Sequence, residues 1–128
     1  ANNTAVLTGS GQVFTWGHGS NGRLGVGDTE RNGVPDSQKA YFPVPVQLKS
    51  LEPIKQISCG ADHTLAAGAA GVWAWGNGAG GKLGLGDNRD RYEPCLVQAL
   101  RAKSVIQVAA GSWHSMAGKL TCICIISC

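Results

Sequence analysis

The sequence predicts an all-β chain of the β-propeller class, on three observations. Nineteen of its 128 residues are glycine, double the usual share of about 7%, so tight turns are favoured over long helices. Short strand-like runs alternate with glycine punctuation, and the glycine-rich stretches carry no 3.6-residue apolar period. The chain also repeats itself. Val13 to Asp28, VFTWGHGSNGRLGVGD, lies over Val72 to Asp87, VWAWGNGAGGKLGLGD, with nine of 16 positions identical at a constant offset of 59. A period near 50 residues marks a solenoid or a propeller, and four short strands per unit suit a blade.

The elements follow in chain order. TAVLT and QVFTW flank Gly9-Ser10-Gly11, a hairpin signal. The chain opens on Ala1 inside a strand-like run, so its N-terminus reads as a cut. Trp16 and its repeat partner Trp75 stand at strand ends, where they are expected to fill the space between blades. The next stretch, Gly17 to Gly22, spells G-x-G-x-x-G, and the pattern recurs as Gly76 to Gly81. A dinucleotide-binding loop must open a helix, whose N-terminal N–H groups hold the pyrophosphate. Here the chain runs on into RLGVGD and KLGLGD, with two more glycines in each and no room for a helix. Gly17, Gly22, Gly25 and Gly27, and their counterparts Gly76, Gly81, Gly84 and Gly86, are therefore expected to turn the chain at positive φ and to let blades approach closely. No cofactor is assigned to them. Leu24 pairs with Leu83, and Asp28 and Asp87 end the motif where an Asx-type turn is expected.

VPVQL reads as a third strand and IKQIS as a fourth of the same unit. A second correspondence, at an offset of 51, lays IKQISCGADHTLA from Ile54 over VIQVAAGSWHSMA from Val105, pairing Gly60 with Gly111 and His63 with His114. The change of offset places eight extra residues in the first unit, within TERNGVPDSQKAYF, opposite the shorter NRDRYE. NTAVL at Asn3 lies over HTLAA at His63. The repeat segments are accordingly 3–59 and 63–110, with a third beginning at 114, all within a partial propeller over 1–117.

These motifs, together with the linking ISCGADHTLAAGAAG, resemble the repeat of the regulator of chromosome condensation family: G-x-V-y-x-W-G, G-x-x-G-x-L-G-x-G-D, P-x-x-V, then V-x-x-V-x-x-G-x-x-H-T/S. The resemblance covers about nine tenths of the chain. It implies a propeller of seven blades when complete, of which about two are present. Beyond Ala117 the family pattern calls for a turn glycine and another V-y-x-W-G, whereas this chain runs GKLTCICIISC. The tail, 118–128, is atypical, and the expectation is intron read-through from about Gly118, since Gly-Lys-Leu can be encoded across a splice-donor consensus.

His63 and His114 occupy equivalent positions, which favours imidazoles satisfying backbone groups at blade corners over a metal or catalytic pair. His18 is replaced by Asn77 in the second unit. Cys122, Cys124 and Cys128 form C-x-C-x-x-x-C, which lacks the C-x-x-C spacing of structural zinc sites. Cys59 pairs with Ala110 and is expected to be a small buried filler. Ultraviolet-B photoreceptors of the family carry G-W-R-H-T; here Ala61 and Ser112 stand where that tryptophan would, and Trp113 falls one place late. No catalytic, cofactor-binding or metal-ligating residue is assigned. The candidates for partner contact are Glu30, Arg31, Asp36, Lys39, Tyr41 and Phe42 in and beside the insertion, with Arg89 and Arg91 in the shorter counterpart.

The formal net charge is +3 without a block of like charges, so nucleic acid is not a required partner. The longest apolar run is too short to span a bilayer, which takes about 20 residues. Five cysteines and no secretory leader point to an intracellular setting, cytoplasm or nucleus. The reading that follows is a protein-interaction scaffold, without catalytic chemistry of its own, in a larger multidomain protein. The resemblance also implies two alternatives: nucleotide exchange on a small Ran-like GTPase, and binding to chromatin. Family members are often joined to ubiquitin-ligase or lipid-binding modules, which would then act in the parent protein.

Overall fold

Pairing between neighbours in sequence builds the whole architecture. The structure, a computed structural model, describes residues 3–27, 41–101, 105–119 and 122–127. Ten strands run through the described residues in three antiparallel sheets. The first sheet holds β1 (Asn3–Leu7), β2 (Val13–His18) and β3 (Tyr41–Gln47). The second, a complete four-stranded blade, holds β4 (Ile54–Cys59), β5 (His63–Gly68), β6 (Gly71–Gly76) and β7 (Arg91–Leu96). The third holds β8 (Gln107–Ala110), β9 (Ser115–Lys119) and β10 (Cys122–Ser127). No described helix is long and apolar enough to cross a membrane.

The turns explain the meander. Gly68 pairs directly with Gly71, closing a two-residue hairpin between β5 and β6, and Gly11, at φ +86, turns β1 into β2. Single 3-10 turns at Ser20–Gly22 and Ala79–Gly81 follow β2 and β6, each with a positive-φ residue inside, Asn21 or Gly80. Positive φ forbids helix propagation there, so the glycine motifs remain loops.

Two expectations change at this level. IKQIS does not close the first unit: it forms β4, which pairs with β5 of the next sheet, Ile57 opposite Ala66. The sequence repeat is thus one strand out of phase with the sheet, and the Ile54 N–H reaches back to the Gly11 carbonyl at 2.9 Å to fasten the crossing. The insertion is also longer than the net offset of eight. Gly17 pairs with Phe42, while its counterpart Gly76 pairs with Arg91, so 25 sequence steps stand against 15, an excess of ten. Two are returned where Leu100 to Val105 is longer than Leu51 to Ile54.

Apolar residues pack in two layers between the sheets. Val13, Leu48, Ile54, Ala66 and Trp75 fill the seam between first and second sheets. Leu65, Ala67, Val72, Leu83, Val108 and Ala117 fill the seam between second and third. Strand β5 therefore gives alternate residues to opposite seams and is buried along almost its whole length, as a strand between two packed neighbours must be.

Candidate functional site

Among the described residues, one rim of the stacked sheets gathers the ion pairs. The start of β5 pairs with the end of β6, which pairs in turn with the start of β7, so the G-x-x-H corners, glycine loops and β7 entry share an edge. The first and third sheets repeat the arrangement, placing Tyr41 beside His18 and Trp113 on the corner between β8 and β9. The insertion leaves and rejoins at this rim, after Gly27 and before Tyr41. Glu30, Arg31, Asp36, Lys39 and Asp28 lie outside the described residues.

Two carboxylates stiffen the rim. Asp87 accepts the Arg89 amide at 2.9 Å through Oδ1 in an Asx turn and takes both ends of the Arg91 guanidinium, at 3.1 and 2.8 Å. These donors, Arg91 first, hold its carboxyl well below the usual carboxylate range, and the same pair raises Arg91. Asp90 accepts from the Gly78 amide on its own blade and from Asn21 Nδ2 on the first sheet, both at 2.9 Å. Arg89 is left 81% exposed on this frame, alongside Tyr41 at 64% and Trp113 at 73%; Phe42 and Arg91 are half-buried.

The repeat glycines sit where one blade's loop enters its neighbour. A Cβ on Gly22 would strike the Arg91 carbonyl and Tyr92 Cα. Gly25, at φ +71, lies under the Trp75 indole, whose Nε1 would be 2.8 Å from an added Cβ. Trp75 is wholly buried at that contact, while Trp16 is half-buried in the first sheet. Gly60 and Gly111 make room for the imidazoles of His63 and His114 three residues on. Gly17, Leu24, Leu83 and Gly76 are buried, Gly27, Gly81 and Gly84 half-buried and Gly86 exposed. Cys59, expected as a buried filler, is exposed at the end of β4, because that strand's paired edge faces only β5 and its tip opens onto the rim.

Beneath the rim lies a constellation that the sequence hides. His63 Nε2 shares a 2.8 Å hydrogen bond with Ser115 Oγ, 52 residues away, and His63 Nδ1 stands 3.7 Å from Asp62 Oδ1. Serine, histidine and aspartate in this order suggest a hydrolytic triad, but the geometry supports no such chemistry. The imidazole–carboxylate distance exceeds a hydrogen bond, and His63 and Ser115 are fully enclosed, out of reach of any substrate carbonyl. The contact joins the second sheet to the third as a latch. Lys82, also fully buried, donates to Asn77 Oδ1 at 2.6 Å, forms an ion pair with Asp62 Oδ1 at 3.1 Å, and lies 5.6 Å from the Trp113 ring. Such pairing is what a buried ammonium requires. Its counterpart Arg23 likewise reaches across to the Ala61 carbonyl, at 3.4 Å. The signal for these residues was in the alignment of repeats: Arg23 with Lys82, and Thr64 with Ser115 beside the histidines.

Comparison with known proteins agrees with this geometry. The profile of the regulator of chromosome condensation (RCC1) repeat matches residues 10–67 and 70–117. Human "Probable E3 ubiquitin-protein ligase HERC3" is 38% identical over 113 residues, 86% of this chain and 10% of that protein. "Ultraviolet-B receptor UVR8" of Arabidopsis thaliana is 36% identical over 121 residues, 91% of this chain and 25% of its own length. The chain thus spans a quarter or less of these relatives. Prp20p of Saccharomyces cerevisiae, studied for its binding to Gsp1p and histones, superposes with a TM-score of 0.78 at 22% identity, covering 91% of this chain and 28% of its own. With two repeat matches over most of its length and stacked sheets to go with them, the chain belongs to the RCC1 repeat family.

Proposed function

We propose that this chain is a stretch of an RCC1-type propeller that docks a protein partner on the rim carrying Tyr41, Arg89 and Trp113. The observation that carries the reading is the pairing of exposure with rigidity. Arg89 stands in solvent, yet its backbone amide and guanidinium are both tied to Asp87, so little side-chain entropy is left to lose on binding. Aromatic and arginine side chains are the commonest interface anchors. Loops held by a stiff scaffold are where binding concentrates.

The insertion joins this rim at Gly27 and Tyr41, and Glu30, Arg31, Asp36, Lys39, Tyr41 and Phe42 are its proposed contacts. Two partner classes follow for testing: the small Ran-like GTPase that the family resemblance implies, and histones, which the study of Prp20p names alongside Gsp1p. Binding of each to the protein bearing Arg89→Glu, Tyr41→Ala or Trp113→Ala is compared with Lys49→Glu on the opposite edge. A loss of about tenfold or more, roughly 1.4 kcal/mol, in the rim variants alone is the expected outcome. A partner that binds all four proteins equally would sink the reading. Replacing Thr29 to Phe42 by NRDRYE tests the insertion separately.

A further inference from the structure

The two seams between sheets are built on one plan but differ at one position. At the second–third seam the latch is an imidazole: fully buried His63 on β5 meets fully buried Ser115 on β9. At the first–second seam the equivalent of His63 is Asn3, since both pair with the glycine ending the adjacent strand, Gly76 and Gly17. Asn3 Oδ1 is buried without a partner, and Thr64, in the place of Ser115, donates instead to the Arg23 carbonyl at 3.3 Å. Further side-chain bonds at that seam, from Asn21 to Asp90, from Arg23 to the Ala61 carbonyl, and from the Ala70 amide and Trp73 Nε1 to Glu52, contain no imidazole.

We propose that the second–third seam is an acid-labile joint, opened by protonation of His63, while the first–second seam stays closed. Neutral imidazole fits the closed seam because one nitrogen is engaged by a hydroxyl and the other, Nδ1, has no hydrogen-bond partner. The charged groups facing it are Asp62 on its own corner and Lys82 on the loop after β6; β9 presents the uncharged Ser115, and the corner between β8 and β9 presents the His114 backbone. Asp62 is already committed to the Lys82 ammonium, so a proton on His63 would bring a second cation into an enclosed site. Burial first, then Lys82, holds the imidazole below its usual pKa, against the pull of Asp62 and of the His114 backbone.

The direction of the effect follows from that sign. The open joint binds the proton near pH 6.5 and the closed joint only at lower pH. The latch therefore holds in full above about 6.5 and loosens as pH falls below it, by at most tenfold per pH unit for one proton. Opening would release two further ties: the Val108 amide from Gln56 Oε1 at 2.7 Å and the Ala110 amide from Ser58 Oγ at 2.9 Å. It would also carry the Trp113 corner away from Lys82.

Hydrogen exchange of the purified chain between pH 7.5 and 5, corrected for intrinsic rates, tests the joint. Expected is a loss of protection confined to peptides holding Val108, Ala110 and Ser115, approaching tenfold per unit, with the Leu48 and Ile54 amides of the first–second seam unchanged. His63→Asn, which copies Asn3, should abolish the pH dependence, and His114→Gln, at an exposed corner, should leave it. Lys82→Met, which lifts the closed-state pKa toward that of the open joint, should leave the onset near 6.5 and shrink the loss of protection at pH 5, which also serves if His63→Asn folds poorly. Equal response of both seams, a slope that survives His63→Asn, or a loss at pH 5 undiminished by Lys82→Met would each overturn the proposal.

Discussion

Gly25 shows how one backbone position supports a whole contact. It combines φ +71 with an indole where a Cβ would stand, so any side chain meets both backbone strain and a collision. Gly25→Val should cost at least about 1 to 3 kcal/mol from the strain alone, read as a shift in the denaturation midpoint. His18→Ala should stay within about 0.5 kcal/mol, since the bond it accepts from the Ser20 amide is long at 3.4 Å and the second unit has asparagine there. Equal midpoints for Gly25→Val and the parent chain would refute the close-approach argument. The neighbouring loss is in the Trp75 indole, whose Nε1 is buried without an acceptor; the ring is kept for its packing volume against Val13, Ile54 and Ala66.

Among elements, β4 does two jobs. It pairs with β5 along one edge and sends Gln56 and Ser58 to the amides of β8, an edge strand of the third sheet. Unpaired strand edges invite association, and here side chains from the preceding blade satisfy two of the exposed donors. Gln56→Ala with Ser58→Ala leaves both amides without acceptors, at a cost of about 1 to 3 kcal/mol for each one that stays buried. The expected reading is faster exchange at Val108 and Ala110 with β5–β6 protection retained. Uniform loss across the second sheet would show instead that β4 itself had unfolded. Crossing from one sheet to the next is also why the repeat pattern and the blade are out of phase, because a strand that starts a new sheet still carries the sequence end of the previous unit.

At the scale of the molecule, the two outer faces differ from the two seams. Val6 is 42% exposed, whereas its equivalent on the second sheet, Ala66, is fully covered by the first. On the third sheet a hollow of ≈ 190 Å³ lined by Gln107, Met116 and Gly118, with others, lies open. Repeat proteins draw much of their stability from contacts between neighbours. The 128-residue chain alone is therefore expected to unfold with low cooperativity in urea or to associate at raised concentration, measured by denaturation and light scattering together. A sharp two-state transition in a monomer would show that three sheets and two seams suffice.

The all-β class, the repeat and the turning role of the glycines were legible in the chain by itself. These follow from local rules: glycine tolerates positive φ, apolar residues alternate in strands, and a repeated pattern demands a repeated environment. Tertiary structure alone decided where a blade begins, that the insertion adds ten residues with two returned elsewhere, and that Cys59 is exposed. It alone brought His63 to Ser115, Lys82 to Asp62 and Gly25 to Trp75. Those pairs are 52, 20 and 50 positions apart, and sequence periodicity reports which side of a strand a residue occupies, not which neighbour closes over it. The partner-contact candidates mark the same boundary: the sequence singles out residues that vary between units, while exposure and anchoring at the rim exist only once the sheets are stacked.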